Sequence, residues 1–151
     1  RRLVSSGEPV MSLEAALARM PQKGAMQLLE RILDLDKTTI RCLARDHRAA
    51  DYPLRIEGRL MGASLVELGA QAAAAHASLH GVGGDHAGLL LSLYNVRIDL
   101  ADADLAVGCF VIAAEQVFFD DGMARYRFSI RDEAQERLCG EAMLKMQAID
   151  A

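Results

Sequence analysis

The chain has 151 residues, of which 52% are hydrophobic and 25% charged, with a formal net charge of -4. That length supports one core, so a single domain over residues 1–151 is expected, and the charge balance is that of a soluble protein and excludes the basic face that nucleic acid requires. An aromatic content of 5%, with no Trp, also removes the stacking platforms that single-stranded bases use.

Cys42, Cys109 and Cys139 are widely separated and odd in number, a pattern against a disulfide framework and in keeping with a reducing cytoplasm. The start, Arg1-Arg2-Leu3-Val4-Ser5-Ser6, has no sustained apolar run and predicts neither a signal peptide nor a membrane anchor. Ser12 caps a short predicted helix over about 12–20 that Pro21 and Gly24 end. A hairpin follows, from the aliphatic run Met26 to Leu35, through a turn at Asp36-Lys37, to the alternating Thr38 to Ala44. Asp46 to Arg59 is polar, contains Pro53 and Gly58, and reads as a loop.

Met61 to His80 is built of strong helix formers without Pro, and Gly81-Val82-Gly83-Gly84 stops it. Its stretch from Leu60 to Leu79 is apolar enough to resemble a membrane span. Glu67, Gln71 and His76 interrupt it, and a helix buried in a core is the better reading. Four strands are predicted beyond it: Leu89 to Ile98, Leu105 to Phe118, Met123 to Ile130 and Arg137 to Gln147, with a hairpin turn at Asp120-Asp121-Gly122. Only enclosure explains a helix apolar on nearly every face, so an α+β fold is expected, with an antiparallel sheet wrapped around the long helix at about 62–80.

Glu67 is the one carboxylate in that helix, and a buried carboxylate needs a partner or a task. Ser64, Glu67, Gln71 and Ser78 share one stripe at spacings of three, four and seven. Such a stripe either lines a pocket or hydrogen-bonds internally to specify packing. Gly62 lets a substrate approach the amides at the helix start, where the dipole favours an incoming carbonyl. A donor of that kind ahead of a carboxylate suits proton transfer next to a thioester carbonyl.

These residues carry a resemblance to the bacterial beta-hydroxyacyl-(acyl carrier protein) dehydratases of the hotdog superfamily. Met20-Pro21-Gln22-Lys23-Gly24-Ala25-Met26-Gln27-Leu28-Leu29-Glu30-Arg31-Ile32-Leu33 is similar to the family's opening, Leu-Pro-His ahead of Leu-Leu-Asp-Arg-Val. Asn95-Val96-Arg97 resembles the strand after the helix. Tyr52-Pro53-Leu54-Arg55-Ile56-Glu57-Gly58-Arg59-Leu60 resembles the loop His-Pro-Leu-Arg-x-Asp-Gly-Arg-Leu of a branch similar to the dehydratases of aryl polyene synthesis. The resemblance implies Glu67 as the acid that protonates the departing hydroxyl, Gly62 as the amide on the thioester carbonyl, and Gln71 as the residue holding Glu67. Neither Tyr52 nor Pro53 is the His that the family uses as base. Tyr52 therefore occupies the base region, although an ordinary tyrosine pKa near ~10 is high for the task. His47, upstream in the same loop, is the reserve.

The resemblance further implies a substrate carried on the phosphopantetheine of an acyl carrier protein or on CoA, with no other cofactor and no metal. It also implies an even-numbered assembly, a homodimer or a heterodimer with a related dehydratase, in which each pocket borrows residues across the interface. His76 and His80 lack a third ligand and read as surface or helix-end residues, and the three cysteines as small hydrophobes in strands. The expected function is dehydration of a 3-hydroxyacyl thioester. Thioester hydrolysis by the lone carboxylate and a non-catalytic acyl-binding subunit are the alternatives.

Overall fold

A computed structural model describes residues 26–79 and 86–148. The expected helix at 12–20, His80 and the Gly81–Gly84 stop lie outside the described residues. β1 (Leu29–Leu35) and β2 (Thr39–Ala44) form the expected hairpin. Its turn is built by Asp36, whose Oδ1 accepts the Thr38 and Thr39 amides at 3.0 and 2.8 Å and the Thr39 hydroxyl at 2.7 Å. A 3-10 turn, Gly62–Leu65, leads into α1 (Val66–Leu79). β3 (His86–Ile98), β4 (Val111–Asp120), β5 (Met123–Arg131) and β6 (Glu136–Ala148) complete a sheet of order β1-β2-β4-β5-β6-β3, antiparallel throughout.

α1 packs against all six strands and is buried from Leu68 to Ser78. Its small residues set the distance of approach. A methyl group on Gly69 would stand 2.1 Å from Cδ1 of Phe128, itself fully buried. Gly69→Ala is therefore expected to lower the unfolding free energy by about 1–3 kcal/mol despite better helix propensity, read as a lower urea midpoint at constant slope. An unchanged midpoint would mean that the ring has room to retreat.

His76 departs from the sequence reading. It is a fully buried residue, not a surface one, because the sheet closes over its face of α1. Nε2–H donates to the Asp36 carbonyl (3.0 Å), which fixes Nδ1 as the acceptor of the Tyr126 hydroxyl (2.6 Å); Tyr126 in turn accepts from Gln116 (3.2 Å). This chain of bonds ties helix, hairpin turn and sheet together. Tyr126→Phe removes its middle donor and is expected to lower stability by about 1–3 kcal/mol in chemical denaturation, with no effect there if the relay is dispensable.

The strand expected from Leu105 begins instead at Val111. Asp102 accepts the Asp104 amide and starts a 3-10 turn over Ala103–Leu105, and Gly108 at φ 73 redirects the chain. Leu105, 70% exposed, thus belongs to a connection, and the apolar run Leu105-Ala106-Val107-Gly108-Cys109-Phe110 misleads as the start of a strand. Cys109 accordingly precedes β4 with its sulfur 3.8 Å from Arg48, whereas Cys42 is buried and its thiol is pushed up to about 12 by desolvation. The Asp120 turn forms as expected, with Asp121 and Gly122 at φ 50 and 75 between paired Asp120 and Met123.

Asp132 anchors the connection before β4. Its carboxylate accepts the amides of Val107, Ala134 and Gln135 and Arg137 Nε, all within 2.9 Å. No helix among the described residues is long and apolar enough to cross a membrane.

Candidate functional site

The polar stripe of α1 divides into an open end and a covered end. Ser64 and Glu67 remain partly exposed, whereas Gln71 and Ser78 are fully buried. Ser78 bonds back to the Ala74 carbonyl at 2.8 Å and so serves the helix. Gln71 lies beneath the lead into β1. Its Oε1 accepts the Leu28 amide (2.9 Å), and its Nε2 donates to the Met26 carbonyl (2.6 Å) and, at 3.4 Å, to Glu67 Oε2. Every contact of that amide holds something else in place, and one of them is Glu67.

At the helix start the structure reassigns Gly62. Its N–H donates to the Ala101 carbonyl at 2.9 Å, so the donor that the resemblance reserves for a thioester is already bonded within the chain. The residue must still be glycine, because a Cβ would stand 1.5 Å from the Leu100 carbonyl oxygen. The glycine permits the close approach of the connection after β3, and exposed Ala63 follows it in the first turn.

The loop that carries Tyr52, Pro53 and His47 folds inward. Pro53 is half-buried, Tyr52 is 2% exposed and His47 is 1% exposed. The His47 ring packs on Phe110 at a centroid distance of 4.5 Å. Neither of its nitrogens nor the Tyr52 hydroxyl has a hydrogen-bond partner, so neither residue is bonded to Glu67. Burial draws His47 below the ordinary histidine value and so favours the neutral ring. Burial also pushes the Tyr52 hydroxyl up to about 12, which removes it from the role of base and leaves it a neutral donor.

The sequence reading overlooked Arg55 and Asp104. The Arg55 guanidinium grips both oxygens of Asp104 and several loop carbonyls. Arg55 lies inside the Tyr52–Leu60 stretch that carries the resemblance, but no local pattern links it to an aspartate 49 residues away. Among the described residues, no group of His, Cys, Asp or Glu is arranged to hold a metal ion.

Comparison with curated proteins yields no match. Among solved structures, the chain is similar to the dehydratase heterocomplex ApeI:P from Xenorhabdus doucetiae, with TM-score 0.73 and 16% identity over 92% of this chain and 93% of that one. It is also similar to a thioesterase from Haemophilus influenzae, with TM-score 0.67 and 15% identity over 93% of each chain. A thioesterase family protein from Silicibacter pomeroyi aligns with TM-score 0.65 and 20% identity over 91% of this chain and 96% of that one. These likenesses establish the hotdog fold that the wrapped helix already suggests. The sequence itself matches the ApeP-like family, described as ApeP dehydratase, over residues 15–150, and with that match across nearly its whole length the chain belongs to the ApeP-like dehydratase family.

Proposed function

We propose that this chain handles 3-hydroxyacyl thioesters, carried on an acyl carrier protein or on CoA, and contributes the acid half of a dehydratase site. The observation that carries this reading is Glu67, partly exposed at the open end of α1 and held by the buried amide of Gln71. A base removes the proton from the carbon next to the thioester carbonyl, and the electron pair moves toward the carbonyl oxygen. Glu67 then delivers its proton to the β-hydroxyl as the C–O bond breaks, releasing water and leaving an enoyl thioester. The carbonyl is polarised at the first turn of the helix by the Ala63 amide, since Gly62 is bonded to Ala101.

The base comes from the 46–59 loop or from a second subunit. Within the loop His47 suits it better than Tyr52, being kept neutral by burial while Tyr52 stays protonated. A second hotdog subunit fits because His47 and Glu67 are not hydrogen-bonded in one chain and because a relative of the same fold is a heterocomplex. The edge strand β3, with Leu91, Val96 and Ile98 exposed, offers a surface for that pairing.

The test is incubation of the protein, alone and with a related dehydratase subunit, with crotonyl and 3-hydroxybutyryl thioesters. Hydration or dehydration supports this reading. Release of free thiol instead supports a thioesterase, which the lack of a hydrogen bond from Glu67 to His47 or Tyr52 favours, since hydrolysis can run on one carboxylate. Silence in both settings, with retained acyl-carrier binding, assigns a non-catalytic partner.

A further inference from the structure

Arg55 uses every N–H it has. Nε donates to the Ala49 carbonyl (3.1 Å), Nη1 to the Gly58 carbonyl (3.2 Å) and Asp104 Oδ2 (2.9 Å), and Nη2 to the His47 carbonyl (2.9 Å) and Asp104 Oδ1 (2.5 Å). A guanidinium carries five such hydrogens in a fixed fork, and here all five are engaged. The 300 Å³ polar recess lined by Arg48, Ala50, Arg55, Gly58 and Asp104 therefore gains no spare donor from Arg55 with which to seize an anion. The saturated fork holds the path of the loop. Lysine, with its donors on one nitrogen, cannot span the same acceptors.

Three of the four residues that Arg55 holds, His47, Ala49 and Asp104, lead to a candidate site residue. The His47 carbonyl is one acceptor, and the His47 ring has no hydrogen bond of its own to fix it and packs at a tilt against Phe110. The Tyr52 carbonyl accepts the Arg55 backbone amide at 3.0 Å, while the Tyr52 amide donates to Ala49 at 3.1 Å. Asp104 sits on the connection whose Ala101 carbonyl accepts the Gly62 amide and whose Ala103 amide donates to Leu60. One side chain, 10% exposed, thus joins the loop to the start of the helix that bears Glu67.

We propose that Arg55, locked by Asp104, is a positioning residue that sets the 46–59 loop so that His47 and Tyr52 stand in place for the thioester chemistry; the catalytic part of this rests on the function proposed above. Asp46 and Asp104 favour protonation of His47, Arg48 and Arg55 oppose it, and burial dominates. Position and charge can therefore be separated by experiment. The full chain labelled with 15N-histidine is titrated by NMR, with His47 assigned by the signal lost in His47→Gln. Arg55→Lys keeps the charge, so a purely electrostatic role leaves the His47 midpoint unmoved, whereas loss of position raises it toward the ordinary ~6.5.

Asp104→Asn gives opposite signs. Removing a negative charge alone lowers the midpoint, while a loosened loop raises it. Rises in both variants, with amide exchange over 46–59 at least about tenfold faster and α1 unaffected, are the expected result. An unmoved midpoint in Arg55→Lys, or a lowered one in Asp104→Asn, overturns the proposal; if the lysine variant does not fold, the asparagine variant decides. On a thioester that the wild type dehydrates, Arg55→Lys is expected to lose about 10- to 100-fold in kcat at nearly constant KM. An unchanged kcat with a shifted His47 overturns the catalytic part, and a wild type silent toward thioesters removes the proposed function without touching the NMR result.

Discussion

Replacing Glu67 by Gln is expected to lower kcat for 3-hydroxyacyl-thioester dehydration by about 10²- to 10⁴-fold, the usual loss when a positioned general acid disappears. KM should change little, because the new amide has nearly the same size and its oxygen still accepts from Gln71 Nε2. Stability should also be preserved, since the bonds from Gln71 to Met26 and Leu28 do not involve the carboxylate. Gln71→Ala provides the contrast. It leaves the buried Leu28 amide without its acceptor and removes the Gln71 donor from Glu67, so both kcat and stability fall, the latter by about 1–3 kcal/mol. Steady-state kinetics beside urea denaturation separates the two variants. Full dehydratase activity in Glu67→Gln would show that the acid lies elsewhere.

The second large effect concerns acid stability. Burial alone would push the Asp132 carboxyl up, but the amides of Val107, Gln135 and Ala134 and the Arg137 guanidinium outweigh it and hold the group far below the usual carboxylate range. A depressed folded pKa means that the unfolded chain binds the proton more readily. The contribution is therefore complete above the unfolded value of ~3.9 and is lost as pH falls below it. Asp46, held near 2 by Arg48, and Asp104 and Glu141, held low by Arg55 and by Asn95 and Arg125, carry the same sign.

Asp132→Asn turns an N–H donor either toward the Val107 amide and Arg137 Nε, which share one carboxylate oxygen, or toward the Ala134 and Gln135 amides, which share the other, so donor faces donor in a buried place. The expected loss at neutral pH is about 3 kcal/mol, or roughly 6–12 °C in Tm. Melting curves from pH 7 down to about pH 2 check both parts: the variant should begin lower and decline less steeply below about pH 4. A parallel decline would mean that Asp132 does not dominate acid unfolding.

Much of this was legible in the sequence because it depends on neighbours. The Asp36 turn, the Asp120-Asp121-Gly122 hairpin and the period of β5 are set by residues within a few positions of one another. The enclosure of α1 could be inferred because no amphipathic face was available to lie on a surface. Leu105 to Phe110 failed for a local reason: an aspartate turn and a left-handed Gly108 break an apolar run that resembles a buried strand.

The site was legible only in part. Glu67 and Gln71 are a helical turn apart, so their contact follows from periodicity. That Gln71 also clamps Met26 and Leu28, that Gly62 bonds to Ala101, and that Arg55 finds Asp104 depend on which loops the closed sheet brings together. The sequence by itself determined the order of elements, the buried helix and its single acid, since helix and strand periods and turn chemistry are short-range. Tertiary structure alone decided that His47 and Tyr52 are buried with neutral side chains, because burial and its effect on a proton depend on distant parts of the chain folding over them.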